Sequence, residues 1–185
     1  MRSRSVGITI VTMVLATAGW AQKVVETQQL PVPEHGKLQV VVPAGWAIET
    51  RQSPKEEGLP TTFLFTPASG PAFRLLVTPL GSPTAEPGFN TPNWIKAQIS
   101  HIRDLRLRVA IEKEAPLHEI RSKSGTGYWF SITDPAPKPG EYEHLTQGAL
   151  PAGDLCVSFT VLTHVAPPEG VADALALLAT VEQVK

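Results

Sequence analysis

Residues 141–164 read EYEHLTQGALPAGDLCVSFTVLTH, two runs of β-branched, aromatic and apolar residues held apart by Pro-Ala-Gly. Such side chains fit a pleated surface and the intervening residues supply turn geometry, so the stretch predicts a pair of antiparallel strands. Extended backbone sends successive side chains to opposite faces. In the second run Cys156, Ser158, Thr160, Leu162 and His164 share one face, and Leu155, Val157, Phe159 and Val161 share the other.

Working upstream, LHEIRS (117–122) and GYWFSITD (127–134) have the same character and are followed by the turn-forming KSGT (123–126) and PAPKPG (135–140). The second half is therefore expected to be an antiparallel meander. In the first half KLQVVV (37–42) and WAIET (46–50), joined by Pro-Ala-Gly, predict a hairpin, and TTFLFTP (61–67) and AFRLLVTPL (72–80) predict two more strands. Gly81–Pro92, GSPTAEPGFNTP, is too rich in glycine and proline for a regular element and ends in a helix start, with Thr91 as cap and Pro92 as first residue. Trp94, Ile95, Ile99, Ile102 and Leu105 then recur at helical spacing to about Arg108, placing a stripe against a core and His101 on the surface. A closing helix is expected in PPEGVADALALLATVEQ (167–183), with Val171, Ala174, Leu175, Leu178 and Val181 along one face. The order strands, helix, strands, helix predicts an α+β domain, a mainly antiparallel sheet flanked by helices.

Residues 1–21 place Arg2 and Arg4 ahead of an apolar run from Val6 to Ala18 and end in small residues around Trp20, the layout of a secretory signal peptide cleaved after Ala21. That run is shorter than the ~20 residues a bilayer span needs, so the exported chain is expected in the periplasm or outside the cell and not spanning the membrane. Cleavage removes two of 16 Lys and Arg and none of 17 Asp and Glu, leaving a net charge of −3. The densest basic stretch, RDLRLR (103–108), alternates with leucines and an aspartate and reads as the solvated side of a helix, so nucleic acid is not an expected partner. Cys156 is the only cysteine, which leaves no internal disulfide. Residues 22–36 are polar and proline-bearing and read as an N-terminal arm, with one domain over 37–185.

VVPAGWAIE (41–49), LLVTPLG (75–81), GYWFSITD (127–134) and CVSFTVLTH (156–164), followed by a short helix rich in alanine and leucine, together resemble the PsbP-like superfamily. Its members include photosystem II accessory proteins, Mog-type Ran-binding proteins and exported bacterial proteins. The resemblance implies an α/β/α sandwich that acts by binding, and it carries no catalytic residue over to this chain.

The window that looks most like chemistry is SITDPAPKPGEYEHL (131–145), with Asp134, Glu141, Glu143 and His144 close in sequence. On a strand Glu141 and Glu143 face away from Tyr142 and His144, so at most two ligands share a face where a divalent metal needs three or four. Within the last strand His164 lies roughly 26 Å from Cys156 and roughly 20 Å from Ser158 at ~3.3 Å per residue, which excludes a dyad inside that strand. A register setting His144 opposite Ser158 would bring their Cβ atoms about 5 Å apart and gather Tyr142, His144, Thr146, Ser158 and Thr160 into a polar patch. No acid is placed to orient His144 there. Phosphate-binding glycine loops, G-x-S-x-G, H-E-x-x-H and paired C-x-x-C are absent from the sequence, and no cofactor is implied. Trp46, Trp94 and Trp129 read as packing residues, whereas Phe89 is an aromatic in a long loop, where recognition surfaces sit. The expected function is non-catalytic binding of an unknown protein or small molecule, with Tyr142, His144, Ser158 and Phe89 as candidate contacts. The alternatives are an envelope hydrolase on His144 with Ser158 or Cys156, and a divalent-metal binder on Asp134, Glu141 and Glu143.

Overall fold

The structure, a computed structural model, describes residues 25–52, 60–69, 72–82, 86, 88–167 and 171–185. The expected signal peptide at 1–21 lies outside them. The described residues form strands β1 (Val25–Val32), β2 (Gly36–Pro43), β3 (Ala47–Arg51), β4 (Thr62–Thr66) and β5 (Phe73–Leu80), then helix α1 (Pro92–Arg106). Strands β6 (His118–Ser122), β7 (Gly125–Thr133), β8 (His144–Ala152) and β9 (Leu155–Thr163) follow, then helix α2 (Ala172–Leu178) and β10 (Glu182–Val184).

Seven strands in the order β3-β4-β5-β9-β8-β7-β6 make the large sheet, and β1-β2-β10 make a small one. Every pairing is antiparallel. One face of the large sheet carries Phe63, Phe65, Leu75, Val77, Leu150, Val157, Phe159 and Val161, which form one core with Leu38, Val40 and Val42 of β2 and with Ala174, Leu177 and Leu178 of α2. The other face carries Phe130, Ile132, Ala149 and Cys156, packed with Ile95 and Ile99 of α1. The expected α+β architecture, a sheet with one helix on each face, is therefore present, with the small sheet sharing the α2 side.

Local chemistry sets the elements. Thr91 caps α1 by accepting from the Trp94 amide at 3.3 Å, and Pro92 fills the first turn without a wasted donor. Burial ends before the expected stripe does: Ile95 and Ile99 are buried, whereas Leu105 is exposed. Trp46, Trp94 and Trp129 are partly buried against the two cores, as expected.

Three expectations are corrected. The polar segment read as an arm is largely a strand: β1 pairs with β2 along its length and contributes Leu30 and Val32 to the core. It is an edge strand, where Pro31 and a mostly polar outer surface are tolerated. Next, the segments 37–42 and 46–50 do not pair, because the turn between them carries the chain from the small sheet to the large one. Finally, the hairpin between β8 and β9 does not turn at Pro151. It turns at Gly153–Asp154, with Gly153 at φ +62°, the pattern of a two-residue type II′ loop. Pro151 extends β8 beyond Ala149, where the described pairing with β7 has ended, so one side of that strand needs no ladder donor.

Candidate functional site

The register of β8 on β9 decides the catalytic question. His144 pairs with Thr163 and Ser158 pairs with Ala149, so even-numbered positions of one strand meet odd-numbered positions of the other. His144 and Thr146 therefore share the α2 side of the sheet, while Ser158, Thr160 and Cys156 lie on the α1 side. The expected patch of Tyr142, His144, Thr146, Ser158 and Thr160 is not formed, and neither a His144–Ser158 nor a His144–Cys156 pair exists. Cys156 is buried in the core with Ile95, Ile99 and Ala149, and that burial pushes its thiol up to about 11, the setting of a packing residue. A native sample is expected to leave Cys156 unmodified by a thiol reagent at neutral pH and to react fully only after unfolding.

At the end of the sheet where β7 stops and β8 begins, His144 has a different neighbour. Its Nδ1 lies 3.2 Å from Thr133 Oγ1, and the Thr133 hydroxyl lies 2.6 Å from Glu112 Oε1 while the Thr133 amide donates to Glu112 Oε2 at 2.8 Å. Glu112 is an acceptor only when ionised, so the threonine proton goes to the carboxylate and His144 is left to donate from Nδ1. That polarity runs opposite to a nucleophile-and-base pair, in which the imidazole takes the hydroxyl proton. The chain of bonds fastens the segment after α1 to β7. Partial burial raises the Glu112 pKa, but the hydrogen bonds from the Thr133 hydroxyl and amide, with its own backbone amide and the His144 charge, bring the net value below the ordinary one. A lowered folded value means stability that is present above the ordinary carboxylate range and lost as pH falls through the folded value. Glu112→Gln is expected to cost about 1 kcal/mol at neutral pH, and less in acid, in urea melts compared across pH.

Tyr142 stacks on His164 at 4.6 Å, with the Arg74 guanidinium 6.0 Å from its ring, a packed aromatic cluster at the same end. In the proline-rich loop, Asp134 Oδ1 accepts from the Ala136 amide at 2.9 Å and Glu141 Oε2 from the Lys138 amide at 3.0 Å. Both carboxylates thus shape the loop's own backbone. Among the described residues no three His, Cys, Asp or Glu side chains converge on one point.

Phe89 lies at the opposite end of the sheet, where four connections meet: the turn between β1 and β2, the segment from β5 to α1, the turn between β6 and β7, and the turn between β8 and β9. They enclose a shallow recess of about 490 Å³ lined by His35, Ser82, Glu86, Phe89, Asn90, Ser124, Pro151, Gly153 and Asp154. Antiparallel strands that end together place their turns together, which is why residues so distant in sequence share this rim. Gln183 of β10 ties two of the turns, donating to the His35 carbonyl at 2.9 Å and accepting from the Asp154 amide at 2.7 Å. Ser124 Oγ accepts from the Gly153 amide at 3.1 Å. Asn90 holds a left-handed conformation, φ +65°, and donates to the Gly153 carbonyl at 3.0 Å, while its buried Oδ1 has no partner among the described residues. Phe89 packs against Trp94 at 4.9 Å and remains partly open to solvent. The Asp154 carboxylate is held below its ordinary range by the Lys185 ammonium at 2.7 Å, first through their hydrogen bond and then through charge. The recess is thus built from cross-braced turns and presents an aromatic edge among polar groups, and among the described residues no base is paired with a nucleophile there.

Sequence reasoning found Phe89 but missed its neighbours His35, Asn90 and Asp154. The signal was indirect: each belongs to a turn, and the strand count places those turns at one end. Glu112 carried no signal, since nothing in the sequence places it beside a strand end 21 residues away.

No family model matches the chain, and no curated protein matches it. Among solved structures, the solution structure of cyanobacterial PsbP (CyanoP) from Synechocystis sp. PCC 6803 is similar at a TM-score of 0.50 and 13% sequence identity. The match covers 92% of this chain and 99% of that one. At that identity the likeness concerns the arrangement of elements and not their chemistry. The chain has a PsbP-like fold.

Proposed function

We propose that the protein is an exported accessory factor that binds a partner through the recess around Phe89 and performs no catalysis. The PsbP-like fold supports an accessory or binding role, and export is supported by the order of charged, apolar and small residues in 1–21. The observation that carries the reading is the recess itself: four separate connections, cross-linked by Gln183, Ser124 and Asn90, hold a partly exposed aromatic among polar groups. A rim whose described turns are held by hydrogen bonds presents its aromatic anchor with less ordering cost on binding. The hydrolase alternative loses its dyad once His144 and Ser158 lie on opposite faces.

The test is site-specific photo-crosslinking in the native cells, with a photoreactive phenylalanine at position 89 and, as control, at exposed position 119. A discrete adduct from position 89 alone is expected. Equal adducts from both positions, or substrate turnover lost on His144→Ala, would overturn the proposal. Amino-terminal sequencing of the fractionated protein tests export, with Gln22 as the expected first residue; an intact Met1 would contradict it.

A further inference from the structure

We propose that the exposed end of α1 and the turn that follows it dock the protein onto an anionic lipid surface, a role separate from the recess around Phe89. Four large apolar side chains are exposed among the described residues, and three of them fall within seven positions: Leu105 at 44%, Val109 at 68% and Ile111 at 57%. The backbone keeps them together. Leu107 donates to the Arg103 carbonyl, Arg108 to Leu105 and Val109 to Arg106, so the helix ends in consecutive tight turns, and the Ile111 amide is pinned to the Thr133 carbonyl at 3.0 Å. Arg106 and Arg108, interleaved with these residues, and Lys113 just beyond them are exposed, and none of the three forms an ion pair among the described residues.

Of the nearby carboxylates, Asp104 is held by Arg103 at 2.9 Å and Glu112 is occupied by Thr133. Glu114 is the exposed acid that opposes the patch. Apolar residues alternating with unpaired cations suit the headgroup boundary, where side chains such as Val109 and Ile111 enter the acyl layer and guanidinium groups remain at the phosphates. A stable protein interface buries about 800 Å² on each partner, drawn from about 20–30 residues, whereas this patch is confined to positions 105–113. The neighbouring recess of about 620 Å³ sets Arg103 and Lys113 against Asp104 and Glu114, and this balance selects no anion. The chain from Gln22 carries a net charge of −3, so attraction must come from this patch, and contact is expected only in one orientation.

The experiment is co-sedimentation of the chain beginning at Gln22, which carries every described element, with vesicles of phosphatidylcholine alone or mixed with phosphatidylglycerol. Binding is expected to the mixed vesicles and not to the neutral ones, and is expected to fall as salt rises. Arg106→Gln with Arg108→Gln is expected to weaken it about thirtyfold, at roughly fivefold per arginine. Val109→Ser with Ile111→Ser is expected to weaken it about tenfold. All four side chains are exposed, so both double variants are expected to melt with the wild type. Equal binding to both vesicle types, or variants that sediment like wild type, would overturn the proposal. So would a self-association of the free protein that Val109→Ser with Ile111→Ser abolishes, since the patch would then belong to a second copy.

Discussion

Gly148→Ala is expected to destabilise the domain by about 3 kcal/mol, lowering the melting temperature by roughly 10 °C for a chain of this size. Gly148 lies buried in β8 directly opposite Phe159 of β9. A Cβ placed there would sit 2.5 Å from Phe159 Cζ, 2.5 Å from the Tyr128 carbonyl oxygen and 2.6 Å from Trp129 Cβ. All three obstacles belong to neighbouring strands, and the two on β7, the Tyr128 carbonyl and Trp129 Cβ, cannot retreat without disturbing the ladder, so the glycine is present to let the Phe159 ring lie across the strand. Phe159→Leu in the Gly148→Ala background is expected to recover about 1 kcal/mol, since it clears the ring but leaves the Tyr128 carbonyl in place. Gly88→Ala is the control: φ is +84° there but nothing lies within 4 Å, so only the conformational cost of about 1 kcal/mol applies. Equal melting temperatures for the two single variants would show that the β7-β8-β9 packing is not as described.

A chain beginning at Pro33 is expected to lose about 4 kcal/mol relative to one beginning at Val25, measured by urea denaturation. The difference is β1, whose Leu30 and Val32 are 7% and 5% exposed, and burying such a side chain contributes about 1.5–3 kcal/mol. Domains are stable by about 5–15 kcal/mol in all, so the shorter chain is left marginal. Its removal also uncovers the ladder groups of β2, a strand that otherwise has β1 on one side and β10 on the other. Identical denaturation of the two chains would restore the reading of residues 22–36 as an arm outside the domain.

The parts of the fold legible in the sequence were those with a strong local period or a specific terminator. Thr91 and Pro92 announced α1, and the runs 127–134 and 154–164 announced β7 and β9, because cap chemistry and alternation need no tertiary knowledge. Strand β1 was hidden because an edge strand with one watered face shows its alternation only at Leu30 and Val32. Pro43-Ala44-Gly45 can return a strand on itself or send it to another sheet, and the choice, here the change of sheet between β2 and β3, belongs to packing. Pro151 was read as a turn residue because proline usually stands outside a ladder. Beyond Ala149 β8 has no described partner on the β7 side, so the proline fits and the turn moves to Gly153–Asp154.

That displacement is what divided the candidate site. Parity reverses with any odd shift, and a turn at Gly153–Asp154 makes Thr163 the partner of His144 where the patch needs Ser158, so the apparent single patch divides between two faces. Tyr142 and His144 remain together at one end of the sheet, Ser158 lies on the helix α1 face and Phe89 at the other end. The neighbours that give His144 and Phe89 their surroundings, Glu112 for the first and His35, Asn90 and Asp154 for the second, come from segments whose proximity only the folded topology creates.

The separation of the ionisable groups is tested most directly by cross-strand nuclear Overhauser effects in the isotopically labelled chain. Contacts from His144 to Thr163 and from Ala149 to Ser158 are expected, with none between His144 and Ser158. Contacts joining His144 to Ser158 would place both side chains on one face and restore the catalytic dyad.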